Sequence, residues 1–448
     1  MNEMHSMVLL WSAIAAVVAL VLLIAWARLN PFLTLMLCSL GLAVATGVPL
    51  PKVVGAFETG LGNTLGHVAI VVALGTMLGK MLAESGAAER IAQTLVDSFG
   101  PRHASWAMLC AGILIGIPVF FEVGFVLLMP LAYSVAQKTG RSLISTLLPM
   151  SAGLAMVHGL LPPHPAALMA VTAFHADVGK TIAWALLVGV PSAMLAGPVW
   201  SRFIEKRIHL PKHTTLGDEF LHVSKDRVLP SFFNSISLLL LPVVLMLVGS
   251  WADRFVPAGS RGNLLLHFLG NADVALLLAT LFSLYTLGLR RGFTRDKVLR
   301  LTNECLAPTA TVTLLVGAGG GFGRVLMDSG VSNVLLSYAL QAHVPLLLLA
   351  WLVATFIRVA TGSTTVAMAT ASSIVAPMVL HGAGVRPEFL AIATGAGATG
   401  FSHVNDGGFW LVKGYSGMSV ADTLKSWTVV ETILSIGAFA LVCFLQWI

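Results

Sequence analysis

The chain has 448 residues, 57% of them hydrophobic and 10% charged, with a formal net charge of +6 and a mean hydropathy of +0.89. Soluble domains carry about 25% charge, which excludes a water-soluble enzyme or binding module. The positive balance is no nucleic-acid signal, because the basic residues stand in short loops between apolar runs.

Those runs are about 20 residues long rather than alternating ten-residue strands, so an all-α polytopic membrane protein is predicted. They fall at about 7–27, 31–50, 62–83, 104–136, 143–174, 181–203, 228–249, 264–289, 305–327, 344–380, 388–414 and 426–447. Ala25-Trp26-Ala27 mimics a cleavage site, but Asn2, Glu3 and His5 make no basic n-region, so the first run reads as a retained span. Cys38, Cys110, Cys305 and Cys443 lie in apolar runs without paired spacing. They read as small packing residues, and neither disulfide, metal nor cofactor is expected.

Four runs are interrupted. The runs 104–136 and 344–380 are too long for one crossing. Gly116-Ile117-Pro118-Val119-Phe120-Phe121-Glu122-Val123-Gly124 breaks the first and Arg358-Val359-Ala360-Thr361-Gly362-Ser363-Thr364-Thr365 the second, so each is predicted to be a re-entrant hairpin. His158-Gly159-Leu160-Leu161-Pro162-Pro163-His164-Pro165 and Ser402-His403-Val404-Asn405-Asp406-Gly407-Gly408 interrupt 143–174 and 388–414, predicting broken helices. Unpaired backbone and ionisable groups at mid-membrane survive only where they line a cavity or bind something.

The order of interruptions repeats. Gly79-Lys80-Met81-Leu82-Ala83-Glu84-Ser85-Gly86 matches Gly323-Arg324-Val325-Leu326-Met327-Asp328-Ser329-Gly330, and each is followed by an amphipathic stretch, a long interrupted run and an interrupted span. The expected domains are a first repeat over 1–203, a cytoplasmic linker over 204–227 and a second repeat over 228–448. With the long runs as hairpins, each repeat has five crossings, including one broken helix, so the second is inverted relative to the first. Eighteen of the 26 Lys and Arg then fall in the cytoplasm against five outside, with Lys80, Arg324 and Arg358 within the membrane. That bias obeys the positive-inside rule, and full crossing by either long run would abolish it.

If the halves pack about a pseudo-two-fold axis, the four interruptions converge. Glu122, among Phe120, Phe121, Val123 and Phe125, reads as an isolated carboxyl suited to carrying a proton, or as a structural acid paired with a base. Arg358 stays cationic and its fork matches a carboxylate. Its counter-charge is Asp406, Glu122 or an anionic substrate, unless it snorkels to the outer interface. Thr361, Gly362, Ser363, Thr364 and Thr365 follow it at the start of a half-helix, whose N–H groups attract anions. His158 and His164 can titrate or hydrogen-bond but lack zinc spacing. Ser402, His403, Asn405 and Asp406 complete the set, with Asp406 a second proton or cation site. Gly395-Ala396-Gly397-Ala398-Thr399-Gly400 fits a dinucleotide fingerprint without its strand, and Gly317-Ala318-Gly319-Gly320-Gly321-Phe322-Gly323 lacks the ending of a phosphate loop. The latter reads as close helix packing.

The segments 116–125, 158–165, 358–365 and 402–410 resemble the gluconate:proton symporter family (gluconate permeases) of bacterial inner membranes, within a wider superfamily of ion transporters. The resemblance runs over nearly the whole chain. It implies uptake of gluconate or a related sugar acid with protons through the inner membrane, by a homodimer moving its substrate domain as an elevator. Substrate contacts would come from Arg358, Thr361, Gly362, Ser363, Thr364, His158, His164, Ser402, His403 and Asn405, and coupling from Glu122 and Asp406. A carrier of citrate, lactate or another organic anion, coupled to sodium or protons, is the other transport reading. One arginine without a second fixed cation favours a monocarboxylate. A membrane enzyme built on His158, His164 and Asp406 lacks a nucleophile and leaves the symmetry unexplained.

Overall fold

A computed structural model of the chain describes residues 3–208, 228–331, 334, 344–379, 384–404 and 406–448, and every regular element among them is a helix. Most of the expected linker, from 209 to 227, and Asn405 lie outside the described residues. Among the described residues, seven helical stretches are long and apolar enough to cross a membrane: Ser6–Ile24, Leu50–Glu84, Ile144–Ala173, Val178–Ile204, Phe232–Ser250, Ala272–Arg291 and Val420–Trp447. Their outer faces carry exposed Trp11, Leu22, Phe233 and Leu281, whereas Ala13, Leu20, Leu239 and Ala279 on the same helices are buried. Apolar side chains outside and inside alike mark a bilayer solvent. The chain is a multi-pass membrane protein.

All four interrupted runs are broken where the polar and helix-breaking residues stand. Ala104–Gly116 stops and Phe121–Thr139 begins, with Pro118, which has no N–H for a continuing ladder, between them. Leu346–Thr361 ends at Gly362, whose φ of +70° suits glycine, and Thr364–Val379 follows. The Ser363 Oγ accepts the Val366 N–H at 3.3 Å and so caps the new helix. Ile144–Leu160 gives way to Pro165–Ala173 across the cis Pro162-Pro163 bond. Pro387–Thr399 gives way to Gly407–Ser416, and within that break Phe401 takes the left-handed φ of 57°, which side chains other than glycine's seldom adopt.

Residues 51–61 fall between two of the predicted apolar runs, yet they belong to one helix, Leu50–Glu84, of 35 residues. Pro51 stands in its first turn, where no N–H is needed, and nothing after it breaks a helix. At 1.5 Å per residue this helix spans roughly 50 Å, well beyond a bilayer core of about 30 Å.

Leu50–Glu84 packs along Leu306–Asp328 through the glycine-rich stretch. A Cβ on Gly321 would lie 2.6 Å from the Phe57 ring, one on Gly317 2.9 Å from Leu65, and one on Gly320 would strike the Thr64 hydroxyl. This is the close packing predicted from composition. We expect Gly321→Val to destabilise the protein by about 1–3 kcal/mol through overpacking, lowering its melting temperature in detergent. Gly62→Val is the control, because a Cβ there meets nothing within 4 Å. The two matching octets end these two helices alike. Lys80–Glu84 and Arg324–Asp328 are each ion pairs at 3.0 Å, and Gly86 and Gly330 take φ values of +78° and +75°.

The broken helices cross where glycine lets backbone meet backbone. A Cβ on Gly159 would strike Thr399, and one on Gly395 would strike the Gly159 carbonyl. Gly395 and its neighbours therefore serve helix contact.

Candidate functional site

Around this crossing lies a cavity of about 360 Å³, a volume that suits a small organic ligand. All four breaks reach it: Phe120 to Glu122, His158, Arg358 with Thr361 to Thr365, and Asp406 to Gly408. Helices Phe121–Thr139, Thr364–Val379 and Gly407–Ser416 all begin at its wall. Helix N-termini carry unpaired N–H groups and partial positive charge, so the lining favours an anion.

The centre of the site is an ion cluster. Arg358 is 2% exposed and donates through Nη2 to the Asp406 Oδ2 at 2.6 Å and to the Glu431 Oε2 at 3.1 Å. Both carboxylates use the same nitrogen. Nε and Nη1 are buried without a hydrogen-bond partner among the described residues. Withholding a buried donor's bond costs about 1–3 kcal/mol, and a second acceptor group would relieve it. Asp406 is held further by the Gly408 N–H at 2.9 Å, as N-cap of its helix, and by the Ser402 hydroxyl. Three donors therefore converge on this one carboxylate.

Of the residues read from the sequence, Arg358, Thr361, Gly362, Ser363, Thr364, His158, Glu122 and Asp406 line the cavity. His164, Ser402 and His403 are not among its lining residues. The His164 Nε2 lies 3.1 Å from the His158 Nδ1, and its ring meets Phe120 edge-on at 5.4 Å. His403 donates from Nε2 to the Val359 carbonyl at 3.0 Å, tying one break to another. Glu122 differs from expectation, being exposed rather than isolated in an apolar setting. On a helix its sequence neighbours face elsewhere, and Phe121 and Phe125 are buried while Glu122 and Val123 are not. Glu122 is also absent from the Arg358 ion pairs.

The pattern described as GntP family permease matches residues 7–448. This chain belongs to the GntP permease family. A gluconate permease of Zymomonas mobilis is 47% identical over 448 residues, covering 100% of this GntP permease and 99% of the relative. A gluconate permease of Pseudomonas aeruginosa is 45% identical over 96% of each chain. An L-idonate transporter of the Gnt-II system of Escherichia coli is 36% identical over 94% of this permease and 95% of that chain. Among solved structures, the YdaH transporter of Alcanivorax borkumensis superposes with a TM-score of 0.65 at 17% identity, covering 92% of this permease and 96% of that chain. At that identity the likeness shows the fold. The protein is a transporter and not an enzyme, as its family and relatives are permeases.

Among the residues of this permease's cavity that escaped the sequence reading, Glu431 and Trp427 come from the last membrane stretch, Val420–Trp447. Glu431 is a lone acid in an unbroken apolar run, a signal that was present but had no helix-breaking neighbours. Trp427 is buried and donates its Nε1–H to the Ser402 hydroxyl at 2.9 Å. That hydroxyl bonds Asp406 in turn, so the last span positions the carboxylate.

Proposed function

We propose that this permease imports gluconate or a related sugar acid with protons across the bacterial inner membrane. The observation that carries the reading is the half-used guanidinium of Arg358 at the wall of a cavity fed by three helix N-termini. A substrate carboxylate takes the free donors of Arg358. Its hydroxyls meet Thr361, Ser363, Thr364 and His158 on the lining, with His164, Ser402 and His403 around it; Asn405 is a further substrate contact expected from its place in the sequence. Relatives named gluconate permeases and an L-idonate transporter support a sugar-acid cargo.

Proton coupling follows from charge. The cavity already holds Glu122, Asp406 and Glu431 against Arg358, so a further anion enters best with a proton. Of the two acids read from the sequence, Asp406 is the anchored charge. Glu122 lines both this cavity and a neighbouring one of about 690 Å³, a position from which it exchanges protons with water.

In the same reading the chain is two inverted repeats, 1–203 and 228–448, joined by a cytoplasmic linker. The runs 104–136 and 344–380 are re-entrant hairpins, and a homodimer works by elevator motion. The matched octet endings and the crossing of the broken helices support that symmetry.

Labelled gluconate uptake into proteoliposomes tests the function. Accumulation should follow an inward proton gradient, collapse with a protonophore and persist when choline replaces sodium. Sodium-dependent uptake unaffected by the protonophore would replace proton coupling with sodium coupling. Failure of gluconate, with accumulation of citrate or lactate, would replace the cargo.

A further inference from the structure

We infer that Glu431 is the coupling-proton site, where its carboxylate competes with the substrate carboxylate for Arg358, and that its protonation releases Arg358 to the substrate. This rests on the proposed sugar-acid symport and adds the residue that enforces it. Glu431 is 4% exposed on the cavity wall and its one hydrogen-bonding partner among the described residues is Arg358, through Nη2. Asp406 shares that nitrogen but has two further donors. With both acids ionised the cluster is already one charge negative. Adding a substrate carboxylate about 4 Å away at an effective dielectric of about 20 would weaken binding on the order of a thousandfold. A proton on Glu431 cancels that penalty. It also weakens the hold of Glu431 on Nη2, so the guanidinium can turn Nε and Nη1, now partnerless, toward the cavity.

Other groups around Glu431 do not offer the same exchange. Asp406, at the head of Gly407–Ser416, is fixed by its cap. Across the cavity are Glu122 and His158, with His164 behind His158 and no ion pair from any of them to Arg358. The other helices packed on Val429–Trp447 bring Lys180, Glu388 and Lys425, all near their own first residues. Glu431 is thus the buried carboxyl that shares Arg358 with the incoming anion and, among the described residues, has no other side-chain partner.

The test is calorimetric gluconate binding to the purified full-length permease, in buffers of different ionisation enthalpy across the neutral pH range. Wild type should take up one proton per gluconate, its affinity falling about tenfold per pH unit once Glu431 is ionised. Glu431→Gln should bind gluconate without proton uptake and with pH-independent affinity, and in proteoliposomes should exchange gluconate but not accumulate it. Undiminished proton uptake by Glu431→Gln overturns the assignment. If that variant does not reach the membrane, Glu431→Asp decides. Its shorter arm draws back from Arg358, so the pH midpoint of binding should move, and an unchanged midpoint overturns the assignment. Wild type that binds no gluconate refutes the sugar-acid reading instead, and wild type that binds it with no proton exchanged refutes the coupling itself.

Discussion

Arg358→Lys should leave a folded permease that has lost roughly a hundredfold in gluconate affinity, while Arg358→Ala should lose binding altogether and fold poorly. The difference follows from the cluster. Arg358 is the cation between two buried acids, at 2.6 Å from Asp406 and 3.1 Å from Glu431. Removing one member of such a set costs about 3–5 kcal/mol because the remaining charge is buried without compensation. Lysine restores the charge, and with it most of the stability. It does not restore the fork, and one ammonium cannot hold both acids and grip a carboxylate bidentately. Calorimetric binding and melting in detergent separate the two effects. Wild-type affinity in Arg358→Lys would show that the substrate carboxylate rests elsewhere.

Asp406→Asn is expected to abolish accumulation while sparing most of the stability. Asparagine is as good an N-cap as aspartate, so the Gly408 N–H keeps its acceptor. What disappears is the fixed negative charge. Arg358 is then left with Glu431 as its one acidic partner among the ion pairs described, which pins Glu431 in its ionised form and stops the proton from coming and going. Proteoliposomes carrying this variant should equilibrate labelled gluconate but hold no excess under a proton gradient. Asp406→Ala removes the cap as well and should melt lower by about 1 kcal/mol of stability. Full accumulation by Asp406→Asn would remove Asp406 from the coupling.

The sequence reading located the breaks because each is marked twice, by a residue that stops a helix and by a polar group out of place in lipid. Pro118 stands beside Glu122, Gly362 beside Arg358, Pro162 and Pro163 between two histidines, and Asp406 ahead of two glycines. Where only one mark was present it failed. Glu431 had polarity without a break and was passed over. The gap between the runs 31–50 and 62–83 had polar residues without a helix-stopper, and Leu50–Glu84 runs through it. The surroundings of Glu122 differ for another reason. Adjacent letters suggested an apolar enclosure, whereas helical geometry turns Phe121 and Phe125 inward and Glu122 away from them. The pairing of Arg358 with Asp406 was foreseeable as one of a few choices, but its sharing of a single nitrogen with Glu431 depends on tertiary packing that no local pattern encodes.

That sharing bears on what the carrier refuses as much as on what it admits. A wall bearing three acids and one guanidinium tolerates one extra negative group, so tartrate-like diacids should be turned away although their hydroxyls would fit. The closed lactone of the same sugar offers no anionic head for Arg358 and should be ignored as well, leaving the cell to take in the opened acid and leave its cyclic precursor outside.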